Sequence, residues 1–248
     1  DRSVSRGLGD VYKRQDADLI VTCAYGQFVP QDVLDYPRFG AVNLHASLLP
    51  KLRGGAPVHK AIINGDTVTG MSMMRMVKRM DAGAVMAQCK VTIDPDDTAG
   101  ILFDKLAKAG ADLMAEQLPL LLAGKAVFVE QDEDKATFAY TISREEERLD
   151  LHQPLDKVYN QARGLIPFPV GYVVHNGKKV KLHRVRKKIA SHEHAAGTCV
   201  GMIDDGFAIA LQGGYLLVDE IQVEGKKRTE ALPFYNGVGK QWVDTVFE

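Results

Sequence analysis

The chain has 248 residues, enough for one large domain or two smaller ones, and 46% of them are apolar, enough for a sizeable core. Acids and bases nearly cancel, 32 against 31, which excludes a chain built throughout as a polyanion binder. The three cysteines, Cys23, Cys89 and Cys199, are odd in number and far apart; they point to neither a disulfide framework nor a metal cluster and fit a reducing cytoplasm.

Residues 1–15 show no periodicity, carry Arg2, Arg6, Lys13 and Arg14, and lack the apolar core of a signal peptide. They read as a segment foreign to the fold. Residues 19–24 then form a short, nearly all-apolar run, typical of a parallel strand covered on both faces. A short helix is expected over 31–35, ended near Pro37, and a second buried strand over 39–44. Residues 51–56 read as a glycine-rich loop, with Pro57 placed for the first turn of a helix over 58–63. A methionine-rich strand is expected over 70–77, a turn over 78–83 and a further strand over 84–93. Asp97 is a candidate N-cap. Leu102, Leu106, Ala109 and Leu113 after it lie on one helical face. Alternating strands and helices predict an α/β fold.

The acid-rich stretch 130–150 reads as a surface linker. A short helix is expected over 155–163, followed by short strands with strong turn signals. Asn176-Gly177 marks a hairpin, and Asp204-Asp205-Gly206 and Gln212-Gly213-Gly214 mark further turns. This half is expected to be mostly β, a small barrel. No apolar run reaches the length of a membrane span; 118–129 comes closest, and Lys125 interrupts it.

Asn43-Leu44-His45-Ala46-Ser47-Leu48-Leu49-Pro50 carries the most chemistry. Strand alternation puts Asn43 and His45 on one side, and Pro50 ends the strand. A carboxamide and an imidazole at the carboxyl end of an α/β strand sit where such sheets bind ligands. The imidazole can move protons near neutral pH, and the carboxamide can hydrogen-bond a carbonyl oxygen as charge builds on it. Taken alone, the pair reads equally well as polar groups satisfied by the backbone. Asp81, in Met80-Asp81-Ala82-Gly83, reads first as a turn aspartate. It gains a second meaning if the turn folds back beside His45. Arg53-Gly54-Gly55 matches no phosphate-loop fingerprint, although Arg53 could meet an anionic substrate. Lys178, Lys179, Lys181, Arg184, Arg186, Lys187 and Lys188 place seven cations in eleven residues with no acid among them. That exceeds what edge protection needs and points to a polyanion backbone. Lys226-Lys227-Arg228 could join the same surface.

These residues resemble the methionyl-tRNA formyltransferase family over about residues 16–248. The resemblance rests on Asn43-Leu44-His45 with Ser47-Leu48-Leu49-Pro50, Arg53-Gly54, Ala56-Pro57-Val58, Met80-Asp81-Ala82-Gly83 and Asp97-Thr98-Ala99-Gly100. Ile142-Ser143, residues 163–169, Asn176-Gly177-Lys178 and Gly225-Lys226-Lys227-Arg228 extend it into the second half. It implies a formyltransferase-type, doubly wound Rossmann-like sheet over 16–126, a linker over 127–150, and a tRNA-binding barrel of the oligonucleotide-binding type over 151–248. Family members begin with strands that precede the one at 19–24, so it also implies an N-terminally incomplete sheet with that strand at an edge.

The implied reaction is formyl transfer from 10-formyltetrahydrofolate to the α-amine of methionine on initiator tRNA. Asn43 would bond the formyl oxygen, His45 would move protons, and Asp81 would hold His45. Ala24, Tyr25, Gly26, Ser47, Leu48, Leu49 and Pro50 would line the folate site. Arg53 and the cations from Lys178 to Lys188 would meet tRNA. No metal is implied, and a cytoplasmic monomer is expected. The rival readings are formyl transfer to a nucleotide sugar or to glycinamide ribonucleotide, hydrolysis of formylfolate, and a noncatalytic RNA-binding fragment. The basic second half discriminates toward tRNA.

Overall fold

A computed structural model describes residues 16–248. The expectation that residues 1–15 are foreign to the fold lies outside them. The described chain divides into two compact units. The first takes residues up to 58, then 68–92 and 103–141; the second takes 59–67, 93–102 and 142–248.

Unit 1 is built on a four-stranded sheet in the order β1 (Ile20–Cys23), β2 (Ala41–His45), β3 (Val68–Arg75), β4 (Val85–Thr92). The short helix α1 (Gln31–Leu34) connects β1 to β2, and α2 (Pro57–Asn64) begins at the expected proline. β1 runs parallel to β2, whereas β2–β3 and β3–β4 are antiparallel. Over the described residues the sheet is therefore mixed, parallel between β1 and β2 and antiparallel beyond. For β3 and β4 the reason is local: nine residues separate them, too few for the crossover that a parallel return requires. Among the described residues β1 lies at an edge of this sheet, and its Val21 and Cys23 are exposed.

The helix α3 (Ala99–Leu122) buries Leu102, Leu106 and Leu113, as its spacing predicts. Its cap is Thr98 rather than Asp97: the Thr98 hydroxyl accepts the Ile101 N–H at 3.3 Å, while Asp97 accepts the Asp94 N–H at 2.8 Å. Met71, Met73 and Met74 of β3 are buried. Gly110 lets the helix approach them, since a Cβ there would lie 3.1 Å from the Met71 methyl group.

The stretch 127–150 does not run free as a linker. Val129 and Val85 exchange backbone hydrogen bonds, and residues 137–139 pair with the loop after β2. In unit 2, Leu149 and Tyr172 continue the tethering through the Leu149 N–H.

Unit 2 holds α4 (Leu155–Gly164), β5 (Tyr172–His175), β6 (Lys178–Ile189), β7 (Cys199–Ile203), β8 (Gly206–Leu211), β9 (Gly214–Val223), β10 (Thr229–Glu230) and α5 (Ala231–Gly237). Its sheet is antiparallel, in the order β5-β6-β9-β8-β7, with β10 on β9. The hairpin signals hold: Asn176 and Gly177 have φ of 49° and 72°, and Asp204 and Asp205 of 44° and 63°, as tight turns between twisted strands require. The last residues tie the two outer strands together. Glu248 and Val174 of β5 exchange backbone hydrogen bonds, and Cys199 of β7 bonds to Thr245 and Asp244. The interior is an apolar cluster including Leu182, Phe207, Ile209, Leu216, Val218 and Phe234.

Candidate functional site

The site in unit 1 grows from the carboxyl ends of β1 and β2. Their parallel register sets Thr22 beside Asn43, and the Thr22 hydroxyl donates to Asn43 Oδ1 at 2.9 Å. A carboxamide has one acceptor end and one donor end. With Oδ1 engaged, the NH2 group is the end left to present to a ligand. Sequence reasoning did not single out Thr22, although a lone hydroxyl in the run Leu19-Ile20-Val21-Thr22-Cys23 was the available signal.

His45 is buried, and its Nε2 lies 2.9 Å from the Leu52 carbonyl oxygen. A carbonyl only accepts, so Nε2 carries the proton. Nδ1 then faces Asp81, with Oδ2 at 3.6 Å. That separation is an ion-pair distance, beyond a direct hydrogen bond; catalytic contacts of this kind often tighten only with substrate bound. The turn thus does fold back beside His45.

Asp81 is held in place by unit 1 itself. It sits at φ 51°, and its Oδ2 accepts the Gly54 N–H at 2.8 Å. Two residues on, Gly83 is required, since a Cβ there would stand 1.9 Å from the Arg75 carbonyl oxygen. Gln131 spans the turn: its NH2 group donates to the carbonyls of Asp81 and Gly83 at 2.8 and 2.7 Å. Its Oε1 accepts Arg53 Nε and Nη2 at 3.0 and 2.9 Å. Arg53 is fully buried and also forks onto Glu133 at 3.1 and 2.9 Å. Arg53, with Arg79 beyond it, holds the Glu133 carboxyl below its usual range. A guanidinium enclosed and saturated in this way does not reach a phosphate. Arg53 is therefore corrected from a tRNA contact to a brace between the loop after β2 and the Asp81 turn.

The residues expected around folate divide by role. Ala24, Tyr25 and Gly26 leave β1 at the same sheet end as residues 46–50 leave β2, because the strands are parallel. Ala24 and Gly26 both have positive φ, and Tyr25 is exposed. Leu48 and Pro50 are half-buried and Leu49 is buried. Ser47 is different. It is fully buried, and its hydroxyl donates to the Lys51 carbonyl at 2.6 Å. It shapes the loop from inside and is withdrawn as a direct folate contact. Ser72, directly opposite His45 in register, completes that interior: it donates to the Ser47 carbonyl, accepts the Leu49 N–H and accepts Gln88 Nε2. Neither Ser72 nor Gln88 carried a sequence signal.

In unit 2 the cations of β6 meet acids from other elements. Arg184 pairs with Glu220 and Glu230 at 2.8 and 2.7 Å, and Arg186 with Asp219 at 2.7 Å. Lys187 pairs with Asp156 and Lys188 with Asp204, each at 2.5 Å. Arg228 also pairs with Glu220. Lys178 and Lys179 are exposed at the hairpin tip, Lys179 with its ammonium 4.3 Å from the Tyr172 ring centre. Lys181 donates to the Pro169 carbonyl at 3.2 Å. The cluster is therefore acid-free in sequence but partly neutralised in space.

Comparisons with known proteins bear on both units. The formyl transferase family matches residues 2–118, and the formyl transferase C-terminal domain family matches 141–239. The chain is 45% identical over 223 residues to the methionyl-tRNA formyltransferase of Geobacillus sp. (strain WCH70), covering 90% of this chain and 70% of that one. It is 45% identical over 227 residues to the methionyl-tRNA formyltransferase of Bacillus licheniformis, covering 91% of this chain and 72% of that one. Among solved structures, HypX from Aquifex aeolicus in complex with tetrahydrofolic acid superposes with a TM-score of 0.75 at 17% identity, over 95% of this chain and 42% of that one. An N-formyltransferase from Helicobacter canadensis, in complex with folinic acid and dTDP-3-aminofucose, gives 0.58 at 17% identity over 71% of this chain and 64% of that one. Those two likenesses speak for the fold alone. With both family domains matched in order and the Asn43, His45 and Asp81 side chains gathered in unit 1, the chain belongs to the formyl transferase family, among the methionyl-tRNA formyltransferases.

Proposed function

We propose that this protein transfers the formyl group of 10-formyltetrahydrofolate to the α-amine of methionyl initiator tRNA. The observation that carries the reading is the convergence of Asn43, His45 and Asp81, each oriented by a partner of its own: Thr22, the Leu52 carbonyl and the Gly54 N–H. The donor supplies an activated one-carbon acyl group. Asn43 has the chemistry to meet it, since its free NH2 end donates to the formyl oxygen as negative charge builds there. The amine nitrogen forms a bond to the formyl carbon, the bond from that carbon to the folate nitrogen breaks, and one proton passes from amine to leaving nitrogen. His45 carries that proton at Nδ1, because Nε2–H is committed to Leu52. Asp81 stabilises the imidazolium while it exists. Ala24, Tyr25, Gly26, Leu48, Leu49 and Pro50 line the folate site in this reading.

Unit 2 serves as the tRNA-binding part. We infer that its antiparallel sheet, with both outer strands tied to residues 244–248, is a small barrel of the oligonucleotide-binding type. Lys178, Lys179 and Lys181 are its foremost phosphate contacts, because among the described residues none of their ammonium groups pairs with a carboxylate. Arg184, Arg186, Lys187 and Lys188 join only by exchanging an acid for a phosphate. The protein works as a monomer in the cytoplasm in this reading; among the described residues no helix is long and apolar enough to cross a membrane.

The test is formyl transfer from 10-formyltetrahydrofolate to charged initiator tRNA, with His45→Ala beside the unaltered chain. A loss of roughly 100-fold or more in kcat supports the assignment. Equal rates for the two, or transfer only to an amino sugar nucleotide, would sink it.

A further inference from the structure

Residues 137–140 lie against the loop that anchors Asp81. Arg53 N–H donates to the Thr137 carbonyl at 2.9 Å, Ala139 N–H donates to the Arg53 carbonyl at 2.7 Å, and Ala56 N–H donates to the Ala139 carbonyl at 3.0 Å. The contact is close: a Cβ on Gly54 would stand 2.6 Å from the Ala139 oxygen, and Gly54 is the residue whose N–H holds Asp81.

In this extended stretch side chains alternate. Ala139 is fully buried, while Phe138 and Tyr140 are 48% and 64% exposed. Their rings lie 5.7 Å apart between centres and only 4° from parallel. Each ring still leaves about half or more of its apolar surface in water. Lys51, an exposed cation, follows Pro50, whose carbonyl accepts the Thr137 N–H. Parallel aromatic faces, with a cation on the neighbouring loop, are elements with which proteins hold unpaired nucleotides, the ring on a base and the ammonium on a phosphate.

We propose that Phe138 and Tyr140 form a stacking platform for a nucleobase, the base of the 3′-terminal nucleotide that carries the reacting amino acid. This rests on the reading of the acceptor as aminoacylated tRNA. In such an acceptor the amine is joined through an ester to the terminal ribose. Its base therefore rests within the length of one ribose and one aminoacyl group of the Asn43–His45 site. The platform stands on the strand that touches the Asp81 anchor. Phe138 and Tyr140 are positioning residues here, fixing the ribose end so that the amine meets the formyl carbon.

The test is steady-state kinetics of the full chain and of Phe138→Ala/Tyr140→Ala. It is joined by fluorescence of a tRNA acceptor minihelix with 2-aminopurine as its last base. The expected result is a rise of roughly 10-fold or more in KM for methionyl-tRNA, as loss of base stacking produces. KM for 10-formyltetrahydrofolate stays put, and the quenching seen with the unaltered chain is lost. Tyr140→Phe keeps the stack and retains the low KM, whereas Phe138→Leu/Tyr140→Leu, apolar but not flat, behaves like the alanine pair. An unchanged KM for tRNA overturns the proposal. So does a rise confined to the folate, which would make the platform a seat for the folate's aryl ring. Full function of the leucine pair also overturns it, since that means general apolar contact. If the unaltered chain quenches the minihelix yet transfers no formyl group, the platform stands and the formyl-transfer reading falls. If it transfers but does not quench, the reverse holds.

Discussion

Arg53 and Arg186 are both arginines forked onto carboxylates, yet they do opposite things. Arg53 is enclosed in unit 1, with its donors on Gln131 and Glu133. Arg186 stands on the surface of unit 2 with Asp219, on a side chain about half exposed. A buried guanidinium stripped of its partners has no water to turn to, so its pairing is obligatory. The Arg186 guanidinium keeps water within reach, so its pairing is less binding than that of Arg53, although Asp219 itself is largely buried. The same residue type is thus an enclosed brace in one unit and a half-exposed surface pair in the other.

Arg53→Ala is the strongest way to break this contrast. It removes the link from Gln131 and Glu133 to the loop after β2 and leaves a void where a large side chain was. A loss of about 3 kcal/mol in unfolding free energy is expected from denaturant titration. Arg186→Ala, measured the same way, should cost clearly less, because its guanidinium is half exposed. Equal costs would erase the distinction.

Thr22→Val sharpens the comparison inside the candidate site of unit 1. The shape of β1 is kept while the Asn43 carboxamide loses its tether. The expected outcome is a fall of roughly 10-fold in kcat with KM for both substrates little changed, smaller than the 100-fold or more expected when the Asn43 donor itself is removed. Unchanged kcat would mean that Asn43 is oriented by something other than Thr22.

On the surface, Lys178→Ala/Lys179→Ala should weaken tRNA binding and lower the slope of log affinity against log salt by up to about 2. Arg186→Ala should lower it by less, because its guanidinium already has a carboxylate. A larger change from Arg186 would show that phosphate displaces Asp219 fully.

Acid should loosen unit 2 mildly. His175 is buried against Trp242, with ring centres 4.0 Å apart, and burial pushes its pKa down; burial does the same to His183. The unfolded chain takes up protons near pH 6.5 while the folded one resists, so stability is full above that pH and falls as pH drops below it. A melting temperature that declines between pH 7 and pH 5, less steeply in His175→Gln, is the expected result. A flat profile would show that neither imidazole governs acid stability.

Much of the site was legible because its chemistry is local. Asn43, His45 and Pro50 share one strand and its exit, and alternation alone puts the first two on one face. Pro57 opening α2 and Asn176-Gly177 turning the β5–β6 hairpin are equally local, since each follows from the φ its residue favours. By itself, then, the sequence determined the turns, the methionine-rich strand β3, the apolar face of α3, and the pair Asn43 and His45. Contacts between distant residues were decided only by the tertiary structure. It put Asp81 beside His45 from 36 positions away and Thr22 beside Asn43 from 21. It enclosed Arg53 with residues 78 and 80 positions on, and drew Asp219 and Glu220 across from β9 onto cations that look unopposed in sequence. The physical reason is range. Backbone preferences act over a few residues and are written where they act, whereas the pairing of buried or exposed charges depends on which strands the fold brings side by side.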